Sequence, residues 1–310
     1  MFQYKEVFTD EEYQEINEIK TFYPEIIEIE ADRRAKKTNK NKMLVFAAAD
    51  HNARMIQAYK GNPFGLSDRR EYLSRLVRIL CSDEVDGVEG TPDIIEDLIA
   101  LNYLWRCHNK KTFLDNKIIV GTINRGGLSG VSWEMDDMCT CFTVERLAEL
   151  KLDGIKFMLR INPDCENNKN TLRYCAEIVN KAATYKMPVF IEGLFIRTKQ
   201  NTYEMQTDLE SLIKTVGVVS ALGCSSLQKW IELPLNKEYA KAVGASTCSF
   251  LVVPDEVGEN KEEIISEYTA QIGVSHNVRG ILLGRNVMYS QEDPLELAEK
   301  IAQKWHEYKE

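Results

Sequence analysis

Ile155-Lys156-Phe157-Met158-Leu159-Arg160-Ile161 is the stretch that decides the fold. Ile155, Phe157, Leu159 and Ile161 form one continuous apolar set, and Lys156, Met158 and Arg160 alternate with them. Successive side chains of a strand point to opposite faces. In a sheet closed into a barrel, one face meets a coat of helices and the other meets the barrel interior. The apolar set belongs against the helices, so Lys156 and Arg160 point inward. A lysine and an arginine inside a barrel are costly unless they are paired or functional. The bland alternative is a strand-end ion pair that only fastens the barrel.

Working outward, seven similar short apolar runs flank this one at spacings mostly of about 30 to 40 residues, the length of a strand–helix unit. They are Met43-Asp50, Val85-Glu89, Ile118-Asn124, Val189-Glu192, Ser226-Glu232, Ser246-Val253 and Arg279-Gly284. Helix-length amphipathic segments lie between them. Strand then helix, eight times over, predicts a (β/α)8 TIM barrel spanning 43–310, of class α/β. Residues 1–42 are charged and helix-prone, with Asp10-Glu11-Glu12 suiting a helix start. They read as a helical N-terminal extension that caps the bottom of the barrel or packs beside it.

Composition narrows the function. Of 310 residues, 44% are hydrophobic and 28% charged, ordinary for a soluble globular protein. No apolar run has the roughly 18 to 20 residues of a membrane helix, and Met1–Glu6 lacks a signal-peptide core. A cytoplasmic protein with no membrane partner is expected. The net charge of −9 and the lack of a basic tract beyond Arg33-Arg34-Ala35-Lys36-Lys37 argue against nucleic acid. That short run reads as a solvated helix end. Eight cysteines are irregularly spaced and read as free thiols. Cys139-Thr140-Cys141 is too tight for a zinc element, so no metal and no cofactor are expected. A small molecule is the expected partner, with a homo-oligomer possible.

TIM barrels carry their chemistry at the C-terminal ends of the strands. Those ends read Asp50, Asn124, Lys156, Arg160, Glu192 and Glu232. Glu192, followed by Gly193, suits a general acid or base, and burial beside Lys156 would let each tune the other. In the sixth run, Leu227, Ile231 and Leu233 form the apolar set. Lys229 shares their parity and faces outward unless a bulge shifts the register, while Gln228, Trp230 and Glu232 face inward, with Glu232 at the mouth. Asp50-His51-Asn52-Ala53-Arg54 puts polar groups into the first βα loop. Asn124-Arg125-Gly126-Gly127 offers donors and close backbone approach. Gly284-Arg285-Asn286 follows the last strand, where barrels often hold phosphate. Pro254-Asp255-Glu256 after the seventh strand removes an amide and adds negative charge, which weakens a phosphate site there.

These residues resemble those of the class I aldolase group of barrels. The nearest likeness is to an aldolase-like family associated with inositol catabolism, with a more distant one to tagatose-bisphosphate aldolases. Ala48–Arg54, Val85–Asp93, Asn124–Leu128, Asp153–Ile161, Phe190–Glu192, Trp230–Pro234 and Leu283–Asn286 carry the resemblance, in order, over nearly the whole barrel. It implies carbohydrate metabolism: a lyase acting on a phosphorylated or acidic sugar through a lysine Schiff base. In the related aldolases that lysine lies on the sixth strand, where this chain has Glu232. Lys156 matches a second active-site lysine of the tagatose-bisphosphate enzymes, and Glu192 matches their acid/base glutamate.

The expected machinery is therefore Lys156 as amine or electrostatic stabiliser, Glu192 as proton carrier, and Asp50 and Glu232 assisting. His51, Arg54, Asn124, Arg125, Arg160, Gly284, Arg285 and Asn286 would bind substrate. A nucleophilic lysine must be partly neutral, and Arg160, two residues along the same face, could lower its pKa by repulsion, against Glu192 and Glu232. Two rival functions fit the same residues. One is a sugar-phosphate-binding barrel without turnover. The other is an isomerase or epimerase using Glu192 and Glu232 as an acid–base pair.

Overall fold

The computed structural model describes residues 2–37, 43–125, 128–131, 133–136, 138–200, 202–254, 258 and 260–308. The strands are β1 (Leu44–Ala49), β2 (Gly87–Gly90), β3 (Ile118–Thr122), β4 (Gly154–Ile161), β5 (Val189–Lys199), β6 (Thr202–Gln206), β7 (Lys229–Pro234), β8 (Ser249–Val253) and β9 (Val278–Leu283). All but β6 pair in parallel around a closed ring, sealed by β1 on β9 and by β4 on β5. The fold is a TIM barrel. The helices are α1 (Asp10–Phe22), α2 (Glu25–Arg33), α3 (Arg69–Leu80), α4 (Pro92–Cys107), α5 (Val144–Glu149), α6 (Asn168–Tyr185), α7 (Leu209–Ala221), α8 (Tyr239–Val243), α9 (Lys261–Thr269), α10 (Arg285–Met288) and α11 (Pro294–Glu307).

Strand alternation sorts the core into two parts. Ile155, Phe157, Leu159 and Ile161 join the large cluster between barrel and helices. Inside, the register builds tiers of four side chains from alternate strands, as this fold requires. One tier is Phe46, Val120, Phe190 and Leu251, with Leu44, Ile118 and Trp230 packed against it. Phe46 meets Phe190 edge-on with centroids 5.6 Å apart, and Trp230 stacks on Phe190 at the same spacing. Glycines leave room for these rings: a Cβ on Gly154 would lie 2.8 Å from Phe190. At Gly280 (φ +149°) a Cβ would strike the Leu44 carbonyl, so β9 can lie against β1 only with glycine there.

The tier above follows from the same pairing, which sets Glu89 beside Val120, Thr122 beside Lys156, and Glu232 beside Leu251. It consists of Glu89, Lys156, Glu232 and Leu282, where a TIM barrel ordinarily carries bulky apolar residues.

The N-terminal segment packs beside the barrel and laps its lower end. A capping box between Thr9 and Glu12 starts α1, and both α1 and α2 lie on α4. The run after α2 corrects the expectation of a solvated helix end. Arg34 is buried, donating to the carbonyls of Lys117 and Lys151 and to Asp153 (2.6 Å). Lys37 pairs with Asp86, which is fully buried just before β2. His306 of α11 reaches the same carboxylate at 2.9 Å. These cations are drawn in because Asp86 and Asp153 also accept from backbone amides and need compensating charge.

Candidate active site

Four carboxylates converge on one ammonium group. Lys156 Nζ lies 2.6 Å from Asp50 Oδ2, 3.0 Å from Glu192 Oε2, 3.2 Å from Glu89 Oε1 and 3.8 Å from Glu232 Oε2. Asp50 follows β1 and Glu192 lies on β5, across the barrel axis from each other; Glu89 of β2 and Glu232 of β7 oppose each other in the same way. Lys156 reaches the centre from β4. Asp50 and Glu192 line a cleft of about 400 Å³ above the ammonium, at the C-terminal ends of the strands. Glu89 and Glu232 lie beneath it and are wholly shut from solvent.

Charge and burial set the protonation states. Burial alone would depress the Lys156 pKa, but Asp50, Glu192, Glu89 and Glu232 together outweigh it and hold the pKa well above the usual lysine range. The carboxylates thus win over any repulsion from Arg160, whose guanidinium pairs instead with Glu134 at 2.9 Å. Burial raises the Asp50 pKa, but Lys156 and the neighbouring His51 and Arg54 more than reverse this, and Asp50 stays a carboxylate. Glu232 is pushed far above the carboxylate range, first by burial and then by the charge of Glu89. Glu89 is raised as well, chiefly by burial. Burial pushes His51 down to about 4, with Arg285, Lys156 and Arg54 adding repulsion against the pull of Asp50. The imidazole is neutral at physiological pH.

The other sequence-derived residues divide by what they touch. His51, Arg54, Arg160, Gly284 and Arg285 all line the cleft. Asn124 does not: its amide donates to the Met158 carbonyl and accepts from the Met158 amide, extending the β3–β4 ladder. Arg125 is exposed and outside the cleft. Asn286 is buried in α10 and accepts from the Tyr59 hydroxyl. Gly126, Gly127, Asp255 and Glu256 lie outside the described residues.

Glu232 sits below the ammonium rather than at the mouth. Lys229 is on the outer face of β7, where its Nζ donates to the carbonyls of Val219 (3.1 Å), Ser220 (2.9 Å) and Leu222 (2.7 Å) at the end of α7. No bulge brings it in. Gln228 and Leu227 precede β7 and are exposed, so neither belongs to the strand pattern read from sequence.

Three features escaped the sequence reading. Glu89 closes the run Val85-Glu89 and obeys the same strand-end rule as Glu192. Glu134 comes from the β3–α5 loop to meet Arg160. β5 continues past Glu192 to Lys199 and returns antiparallel as β6, a hairpin standing over the mouth. Leu194, Ile196, Tyr203 and Met205 of that hairpin form an apolar wall of the cleft. Two other surface clefts, of about 550 and 440 Å³, gather no comparable group of acids and bases.

A profile of the Cgl0159-like family matches residues 41–303. The chain belongs to the Cgl0159-like family. The crystal structure of Cgl0159 from Corynebacterium glutamicum shares 29% identity, with a TM-score of 0.88 over 96% of this chain and 98% of that one. An archaeal fructose-1,6-bisphosphate aldolase, solved with its catalytic lysine bound to a carbinolamine intermediate, superposes with a TM-score of 0.61 at 16% identity, covering 90% of this chain and 99% of that one. A fructose-bisphosphate aldolase from Slackia heliotrinireducens gives 0.59 at 14%, covering 88% and 82%. At such identities the aldolases share the fold with this Cgl0159-like chain, and the likeness goes no further. No protein with a curated description matches it.

Proposed function

We propose that the protein is an aldolase-type carbon–carbon lyase that acts on a phosphorylated or acidic sugar through Lys156. The observation that carries this is the Lys156 amine on the floor of the mouth cleft, in contact with carboxylates that can take its proton, while Arg54, Arg160 and Arg285 line the walls. At rest the lysine is an ammonium. A substrate that fills the cleft excludes water and weakens the case for a charge-separated pair, because a neutral amine and a neutral acid cost less to bury than two ions. Lys156 then yields a proton, and its lone pair attacks the substrate carbonyl. The carbinolamine loses water to give an iminium ion. Glu192 takes the proton of the hydroxyl β to that carbon. The carbon–carbon bond breaks into the iminium, leaving an enamine and a free aldehyde. Glu192 returns its proton to the enamine carbon, and water releases the second product.

The arginines suit an anionic substrate, since guanidinium forks bind phosphate and carboxylate in two-point contacts. His51, held neutral, adds no charge at neutral pH and has a buried Nδ1 without a hydrogen-bond partner among the described residues, ready for a hydroxyl.

One observation favours a second reading. The raised Lys156 pKa suits a permanent ammonium that steadies an enediolate while Glu192 moves a proton, which is isomerase or epimerase chemistry. Borohydride separates the two. Reduction in the presence of a ketose phosphate should attach substrate carbon to the Lys156 peptide, and Lys156→Met should abolish both labelling and cleavage. Cleavage that survives in Lys156→Met would refute the lyase reading. Solvent deuterium incorporation without labelling would establish the isomerase.

A further inference from the structure

Glu89 and Glu232 lie in the second tier of the barrel, on opposite strands, with Lys156 between them. Neither is exposed at all. None of their four oxygens accepts from a backbone amide, a hydroxyl or a side-chain amide among the described residues. Lys156 Nζ lies 3.2 and 3.8 Å from them, and each carboxyl is next to the other. Two bare carboxylates this close repel strongly in a dry interior, and one shared proton removes most of that cost. Below them the aromatic and aliphatic tier of Phe46, Phe190 and Leu251 blocks any route to water. Above them Lys156 fills the way to Asp50 and the cleft. Among the described residues, Lys156 is the group whose ion pairs join this pair to Asp50 and the cleft.

We propose that Glu89 and Glu232 form a sealed proton store that serves Lys156 during Schiff-base formation. The inference rests on the lysine-dependent reading above. At rest the pair holds one proton and one negative charge. When substrate arrives, Lys156 passes a proton down; the pair becomes neutral with two protons, and the amine becomes neutral with a free lone pair. That lone pair forms the C–N bond, and the carbonyl oxygen takes a proton from the attacking nitrogen to become the carbinolamine hydroxyl. The stored proton passes by way of the carbinolamine nitrogen to this hydroxyl, which leaves as water as the nitrogen lone pair forms the iminium. The pair is again singly protonated, its negative charge now facing the iminium cation. No proton is lost or gained over the cycle, and no charge is ever created without its counterpart 3 to 4 Å away. This answers the main difficulty of a Schiff-base lysine among acids. The lysine need not be neutral at rest, because the group that neutralises it lies directly beneath.

Infrared spectroscopy of the whole protein in D2O at pH 7.5 tests the store, and borohydride labelling tests its use. Wild type should show a protonated-carboxyl stretch that Glu89→Gln and Glu232→Gln each remove, since a lone glutamate beside the ammonium ionises. Each single variant keeps one carboxylate able to take the proton, so its labelling rate should stay within about tenfold of wild type. Glu89→Gln/Glu232→Gln should slow it by about 10² to 10⁴, the usual worth of a positioned acid–base group. No such stretch in wild type overturns the store while leaving labelling of Lys156, and with it the lyase reading, intact; wild type alone decides this if the variants misfold. A double variant that labels at the wild-type rate overturns the role in catalysis. A wild-type stretch with no labelling by any carbonyl compound leaves the shared proton standing and removes both its use and the lyase reading.

Discussion

Lys156→Met should reveal how strongly the barrel interior depends on a single charge. The substitution keeps length and apolar stem but removes the cation that faces Asp50, Glu192, Glu89 and Glu232. Removing one partner of a buried ion pair costs about 3 to 5 kcal/mol. Here several acids lose their common partner, so the upper end, about 5 kcal/mol, applies near pH 8. A domain of this size gains or loses roughly 2 °C in Tm per kcal/mol, so the drop should be about 10 °C. The variant has a way out, which is to protonate its buried acids. Their folded pKa values then stand above those of the unfolded chain. Stability tied to such raised groups is fully present below about pH 4.3 and is lost as pH rises through the folded values. The gap between wild type and variant should therefore widen with pH, at about 1.4 kcal/mol per unit for each extra proton bound. Calorimetric melts from pH 5 to 8 measure this directly. A variant whose Tm tracks wild type in parallel across that range would refute the picture of one ammonium compensating four acids.

Further tests concern other elements. Lys229→Met should leave borohydride labelling unchanged and cost about 1 to 3 kcal/mol in denaturant melts, because three carbonyls at the end of α7 lose their donor; lost labelling would return Lys229 to the chemistry. Arg54→Gln and Arg285→Gln should each raise KM for an anionic substrate by about 10- to 100-fold, with a smaller fall in kcat, the signature of a charged hydrogen bond used in binding; equal losses in both parameters would contradict it. His306 has its pKa raised by Asp86 and Glu84 against the effect of burial, so its contribution is complete below about pH 6.5 and fades as pH climbs through the folded value. His306→Gln should flatten the decline in stability between pH 6 and 8 by about 1 to 3 kcal/mol, and an unchanged slope in thermal melts would exclude the histidine as its source.

Much of the site was legible because strand parity has a period of two. Ile155 to Ile161 alone sends Lys156 and Arg160 inward, and Ile231 with Leu233 alone sends Lys229 outward, where α7 supplies carbonyls for it. Parity says nothing about depth. As the last inward-facing residue of its run, Glu232 reads as lying at the mouth, yet the stagger of the barrel sets it level with Glu89 and Lys156, under the cleft. That level depends on the register of all eight strands, which no single strand encodes. Glu89 ends its run as Glu192 does, so the strand-end rule marks it too; its depth below the cleft is what a single strand does not show. Glu192-Gly193 read as a strand terminus because glycine usually breaks a strand. Here Gly193 lies against Thr215 and Val219 of α7, where a Cβ would sit 2.6 Å from the threonine methyl, so the strand runs on into the hairpin. Asn124 and Asn286 carry the right chemistry for substrate binding but are spent on Met158 and Tyr59. The run after α2 misled through composition, because Asp86 and Asp153, the acids that draw Arg34 and Lys37 inward, lie far along the chain.

Asp86 has a consequence for the order of events in synthesis. Its partners are Lys37 and the Val45 amide from early in the chain, and His306 from the far end of α11. A ribosome delivers the first two before β2 exists and the third only after all eight barrel strands have been made. Until then the nascent chain holds an acid bound for the interior with part of its compensation still unmade. The contact between the start of β2 and α11 is thus the later of these to form. A chain stopped before His306 keeps every barrel strand but lacks this contact, so part of what offsets the buried charge of Asp86 depends on α11 having been made.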